Sequence, residues 1–154
     1  LLYEEREQVR EYCIKMLEMG LTSGTGGNIS VCNREKKLYA ISPTSMDYYK
    51  VNTDDVAVVD FKGNVVEGNR KPSIEHVMHR VYYTDRDDIN AVVHSHSPYA
   101  TAVACLNHSL PAISFLIKLS LSTTNTVNLL PLFARLFKTV LFFNETELSI
   151  IYEI

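Results

Sequence analysis

The sequence predicts an α/β or α+β domain with hairpins, on three observations. Stretches with apolar residues at three-and-four spacing alternate with short runs that are alternately or continuously apolar. The links between neighbouring short runs are brief, polar turns, which favour hairpins. Across 154 residues, 46% are hydrophobic and 21% charged, the balance of an ordinary soluble globular chain. One domain of that size buries a core without help from disulfides or metal, so a metal here would signal chemistry.

The elements follow in order. Residues 3–19 place Val9, Tyr12, Cys13, Met16 and Leu17 at helical spacing, with Gly20 as the stop. The loop Gly24-Thr25-Gly26-Gly27-Asn28 leads into a strand at 29–32, and a turn at 33–36 returns the chain as a second strand at 37–42. A third strand, 56–61, turns at Lys62-Gly63-Asn64 into Val65-Val66-Glu67. Pro72 and Ser73 open a helix over 73–83, with Glu75 in its first turn and Ile74, Val77, Met78, Val81 and Tyr82 on one side. Residues 89–94 are a buried strand, and Ser97-Pro98 opens a further helix through Leu106. In the tail, Leu129, Leu130, Leu132, Phe133, Leu136, Phe137, Val140 and Leu141 line up as a broad apolar helical face.

Fifteen basic against 18 acidic residues, a formal net charge of -3, give no global positive field, which argues against nucleic-acid and anionic-membrane partners. Arg135 and Lys138 interrupt the apolar tail, whose uncharged stretch is too short to span a bilayer. Cys13, Cys32 and Cys105 are odd in number and form no C-x-x-C pair, so they read as buried fillers in a reducing compartment. The first residues are too charged for a signal peptide, so a cytoplasmic location is expected; opening at Leu1, the chain is expected to lack a start methionine or a short preceding stretch. All six glycines lie at or before Gly68 and all five histidines at or before His108. The last third is a change of texture.

Three features bear on chemistry. His94-Ser95-His96 ends an apolar strand, where residues two apart share a face, so both imidazoles can converge on a metal or an anion. The pattern equally suits one exposed and one core histidine. Glu75, near the positive end of a helix, stays ionised easily and could ligate a metal or move protons, or simply complement the dipole. Glu75 and His79 form an i, i+4 pair, while His76 and His79 read as surface or core-edge residues, the order being wrong for H-E-x-x-H. Finally, the glycine-rich loop, the turn Ser42-Pro43-Thr44-Ser45 and the turn Lys71-Pro72-Ser73 carry hydroxyl and backbone donors that suit an anion, or are plain turns.

Taken together and in this order, residues 24–30, 41–45, 67–75 and 91–102 resemble the class II aldolase/adducin family, nearest its L-fuculose-phosphate aldolase branch, with the likeness continuing to about residue 117. The resemblance implies a three-layer α/β/α fold around a central, mainly antiparallel sheet, with residues 1–117 as the family domain, left incomplete at its C-terminal part, and 118–154 as a divergent hydrophobic tail. It implies a zinc ion held by His94 and His96, with Glu75 as catalytic acid/base that also touches the metal. Thr25, Gly27, Asn28, Thr44, Ser45 and Ser73 match the loops that hold the substrate phosphate. The implied activity is cleavage of a small sugar phosphate, such as L-fuculose 1-phosphate, to dihydroxyacetone phosphate and an aldehyde, in a homotetramer. Glutamate at position 75 favours an aldolase over the epimerase branch, which tends to carry aspartate there.

The sequence departs from that pattern at Ile74, where a second serine is usual, and at Phe115, where a hydroxyl-bearing aromatic is frequent. The family's third histidine ligand lies well downstream of the pair, and no histidine follows His108; Glu75, which the resemblance implies touches the metal, could complete a three-donor site with His94 and His96. Two alternatives therefore stand beside the aldolase: an inactive truncated or adducin-like assembly module, and a related sugar-phosphate epimerase or dehydratase.

Overall fold

Alternating side-chain direction along four adjacent strands divides the apolar residues between two faces, and each face takes one helix. The computed structural model describes residues 1–96, together with the backbone of two strands at 138–143 and 148–153. Its elements are α1 (Tyr3–Glu18), β1 (Asn28–Asn33), β2 (Leu38–Ile41), β3 (Ala57–Asp60), β4 (Val65–Glu67), α2 (His76–Asp85), β5 (Ala91–Ser95), β6 (Lys138–Phe143) and β7 (Leu148–Glu153). The seven strands form one sheet in the order β4-β3-β2-β1-β5-β6-β7, and every neighbouring pair is antiparallel.

On one face, Ile29, Ala40, Val58 and Val93 pack with Val9, Cys13 and Met16 of α1. On the other, Cys32, Tyr39, Ile41, Ala57, Val59 and Val92 pack with Tyr83 of α2, flanked by Met78 and Tyr82. Helix, sheet and helix make the three expected layers. Burial drives both described cysteines away from thiolate chemistry, raising Cys13 to about 12 and Cys32 to about 11, as fillers should be. Arg6 occupies the α1 face as well: its guanidinium is buried, donates to the Thr53 carbonyl at 2.9 Å and pairs with Glu67 at 2.7 Å, tying the helix to β4. Tyr12, expected on the buried side of α1, faces solvent.

Three expectations need correction. First, α2 begins at His76 instead of Ser73, because Pro72 bridges to Pro43 and the Ser73 N–H donates to the Ser42 carbonyl, holding that stretch extended. Glu75 is therefore the N-cap residue, one position outside the helix. Second, α2 turns a different face to the sheet: Ile74, Val77 and Val81 are exposed, while His79 and Tyr83 are fully buried. His79 is no surface or core-edge residue, because hydrogen bonds from β1 satisfy its ring and remove the penalty of burying it. Third, Val140 and Leu141 lie in strand β6 and not on a helical face; the run of threonine, valine and aromatic residues at 139–143 suits a pleated strand, and β5 offers it an edge. The helix expected from Ser97, Cys105, Phe115 and the remainder of the apolar tail lie outside the described residues.

Candidate active site

The ends of β1 and β5 meet beneath the N-terminus of α2, and register decides which side chains meet there. Asn28 is the cross-strand partner of His94, so both point to the α2 side, the same side as Ser30 and Val92. His94 is fully buried, and its ring stacks on that of His96 with centroids 5.1 Å apart and planes inclined by 16°. The expected shared face of the H-x-H pair is thus present, with His96 at the exposed end and His94 inside.

Glu75, at the α2 N-cap, sends Oε2 to within 3.0 Å of His94 Nδ1 and 2.5 Å of Asn28 Nδ2. The first is the distance of an ion pair without the direction of a hydrogen bond, for neither ring nitrogen of His94 has a hydrogen-bond partner among the described residues. A buried imidazole left in that state costs about 1–3 kcal/mol and calls for a reason. Metal ligation is one that the donor set fits: imidazole nitrogens and a carboxylate oxygen are zinc ligands. Among the described residues, however, no three His, Cys, Asp or Glu side chains stand arranged to hold an ion as they are, so the stacked rings would have to turn to do so.

The hydroxyl-bearing turns gather at the same end of the sheet. The Pro43–Pro72 bridge, with Thr44 N–H donating to the Lys71 carbonyl at 3.1 Å, zips the turn carrying Thr44 and Ser45 to the turn carrying Ser73. Thr44 and Ser45 hydroxyls lie 3.4 Å apart, and Ser73 Oγ accepts from the Glu75 N–H at 3.3 Å. Thr25 is exposed on its loop, whereas Asn28 is buried with its amide engaged by Glu75 and His79.

Gly27 is where the loop meets the site. Its φ is +72°, its carbonyl accepts from the Tyr48 hydroxyl at 2.6 Å, and a Cβ there would lie 2.6 Å from the His94 carbonyl oxygen. Gly24, at φ +60°, has open space around it. Gly24→Ala is expected to cost about 1 kcal/mol, the left-handed penalty alone. Gly27→Ala adds a backbone collision and is expected to cost on the order of 3 kcal/mol and to displace the β5 end. Urea midpoints at constant m-value read the difference.

His79, unanticipated as a site neighbour, sits behind these residues. Burial, reinforced by the adjacent His94, pushes its pKa down to about 3 from an ordinary 6.5, so the ring is neutral in the folded chain. Between those two values the unfolded chain binds the extra proton, so this contribution to stability is intact above about pH 6.5 and is lost as pH falls toward 3. The expected slope is at most about 1.4 kcal/mol per pH unit. Chemical melts from pH 7.5 down to about pH 4.5 check it, with His79→Gln expected to flatten the profile. The signal available beforehand was the spacing of Glu75, His79 and Tyr83, one polar stripe at i, i+4, i+8.

Known proteins agree with this architecture. Residues 7–130 match the Class II Aldolase and Adducin N-terminal domain. A 5-deoxy-D-ribulose 1-phosphate aldolase of Bacillus thuringiensis is 54% identical over 117 residues, covering 76% of this chain and 55% of that protein. The L-fuculose phosphate aldolase of Escherichia coli K12 is 40% identical over 110 residues, covering 71% of this chain and 50% of its own. Among solved structures, an L-fuculose 1-phosphate aldolase superposes with a TM-score of 0.69 at 46% identity, over 73% of this chain and 53% of that one. The chain spans about half the length of the curated relatives it matches. No helix among the described residues is long and apolar enough to cross a membrane. By its sequence over residues 7–130 and by its antiparallel three-layer fold, this chain belongs to the class II aldolase/adducin family.

Proposed function

We propose that this chain carries the metal and acid/base residues of a zinc-dependent aldolase that cleaves a small phosphorylated ketose into dihydroxyacetone phosphate and an aldehyde. The observation that carries the reading is the meeting of Glu75 with a buried, hydrogen-bond-deficient His94 that stacks on His96. L-Fuculose 1-phosphate and 5-deoxy-D-ribulose 1-phosphate, named for the two relatives, are the first substrates to try. His94, His96 and Glu75 would hold the ion, which as a Lewis acid stabilises negative charge on the substrate oxygens.

The chain's own residues do the rest. Thr44, Ser45 and Ser73, on turns zipped together, offer hydroxyls to the phosphate, with Thr25, Gly27 and Asn28 proposed on the facing loop. Cleavage breaks the carbon–carbon bond between the hydroxyl-bearing carbon that leaves as aldehyde and the three-carbon fragment. The hydroxyl proton must pass to a base and the fragment's carbon must gain a proton, so a single carboxylate that accepts the first and returns it to the carbon closes the balance. In this proposal Glu75 is the acid/base that carries the proton, and its position at the α2 N-terminus and its hydrogen bond from the Asn28 N–H support the reading by favouring the carboxylate form between transfers. Assembly into a homotetramer belongs to the same proposal, and the exposed Ile74, Val77 and Val81 supply apolar surface for contacts between copies.

The test is to incubate the zinc-loaded chain with each ketose phosphate and follow dihydroxyacetone phosphate. Its appearance supports the aldolase. An isomeric ketose phosphate in its place would make the protein an epimerase, and no product with any of them would leave the assembly-module reading.

A further inference from the structure

Five side chains between β1 and α2 form one unbroken hydrogen-bonded chain that ends on Glu75. Tyr83 OH and Ser30 Oγ are 2.6 Å apart, and Ser30 Oγ and His79 Nδ1 are 2.6 Å apart. His79 Nε2 and Asn28 Oδ1 are 2.5 Å apart, as are Asn28 Nδ2 and Glu75 Oε2. Tyr83, Ser30, His79 and Asn28 are each at most 4% exposed.

Elementary donor bookkeeping gives this chain a direction. An ionised carboxylate only accepts, so Asn28 must turn its N–H to Glu75 and its oxygen to His79. That oxygen also only accepts, so the His79 proton is on Nε2, and Nδ1 of the neutral ring is an acceptor. Ser30 then donates to Nδ1 and accepts from the Tyr83 hydroxyl. Every donor points toward Glu75, and aligned hydrogen bonds strengthen one another in a dry layer. Stability alone does not require this arrangement, since apolar side chains of similar shape fill such a layer about as well.

We infer that His79, Ser30 and Tyr83 are positioning residues that lock the Asn28 amide with its N–H toward Glu75 and so hold the carboxylate in one orientation beside His94. The inference rests on the reading of Glu75 as acid/base and metal ligand. A flipped Asn28 amide would set its oxygen against the carboxylate and drive Glu75 away from His94.

Two measurements on the full chain test it, the first without metal or substrate. Heteronuclear NMR of the imidazole nitrogens is expected to find His79 protonated at Nε2 alone, and the Asn28 side-chain amide is expected to give a downfield, slowly exchanging proton. A ring protonated at Nδ1 alone, or at both nitrogens, overturns the inference. In the second, His79→Gln, whose amide N–H replaces the Nε2 donor, is expected to keep the Asn28 signature and the zinc affinity. His79→Leu is expected to lose the signature and weaken zinc binding by roughly 10–100-fold, the usual cost of losing an outer-shell partner. Zinc affinity unchanged in a folded His79→Leu chain overturns the inference. If the wild-type chain binds no zinc while the tautomer is as described, the aldolase reading fails and the orientation of Asn28 stands.

Discussion

Glu75→Gln is expected to lower ketose phosphate cleavage by roughly a hundred- to ten-thousand-fold, the range for removing a positioned acid/base, with the fold retained. The substitution keeps the shape of the side chain and one oxygen that accepts from Asn28 Nδ2, so the contact to β1 survives. It removes the charge facing His94 and the ability to carry a proton. Release of dihydroxyacetone phosphate, read beside a thermal melt, separates the two effects: activity falls while the melting curve barely moves. Equal loss of both would make Glu75 a structural residue of the α2 cap.

His94→Ala is expected to weaken zinc binding by at least about a hundredfold, more than loss of an outer-shell group, because a direct donor is gone. Its effect on the metal-free fold is expected to be unusually small. Truncating a large buried side chain ordinarily costs about 2–5 kcal/mol. Here the same change also removes two ring nitrogens that are buried without hydrogen bonds, relieving a penalty of about 1–3 kcal/mol. Zinc titration by calorimetry and urea unfolding of the dialysed variant measure the two sides.

The two hairpins were legible, because strands joined by short polar turns leave little choice of pairing, whereas strands β6 and β7 were not, since the apolar residues Val140 and Leu141 also fit a helical face. The β1–β2 and β3–β4 hairpins stand where the turns at 33–36 and 62–64 put them. The shared face of His94 and His96 was equally legible, since it follows from strand periodicity alone. The buried face of α2 was not. An apolar stripe at Ile74, Val77 and Val81 reads as core, yet a partner strand carrying Asn28 and Ser30 makes the polar stripe of His79 and Tyr83 the better one to bury. Such a match depends on two segments about fifty residues apart, and no single-segment pattern contains it. The N-cap position of Glu75 was hidden for a related reason: the Pro43–Pro72 bridge that delays the helix is a tertiary contact. The joining of the turns at Thr44 and Ser73 was suggested only by their common chemistry, and the same bridge supplies the geometry.

Everything proposed for this site depends on His94, His96 and Glu75 being ligands of one metal ion. Anomalous diffraction at the zinc edge, from crystals of the full chain grown with zinc, tests it most directly. A single strong peak is expected between the two imidazoles and the Glu75 carboxylate, with the rings turned out of their stack. A peak elsewhere, or a zinc-saturated crystal in which the His94 and His96 rings remain stacked with no metal between them, would contradict it.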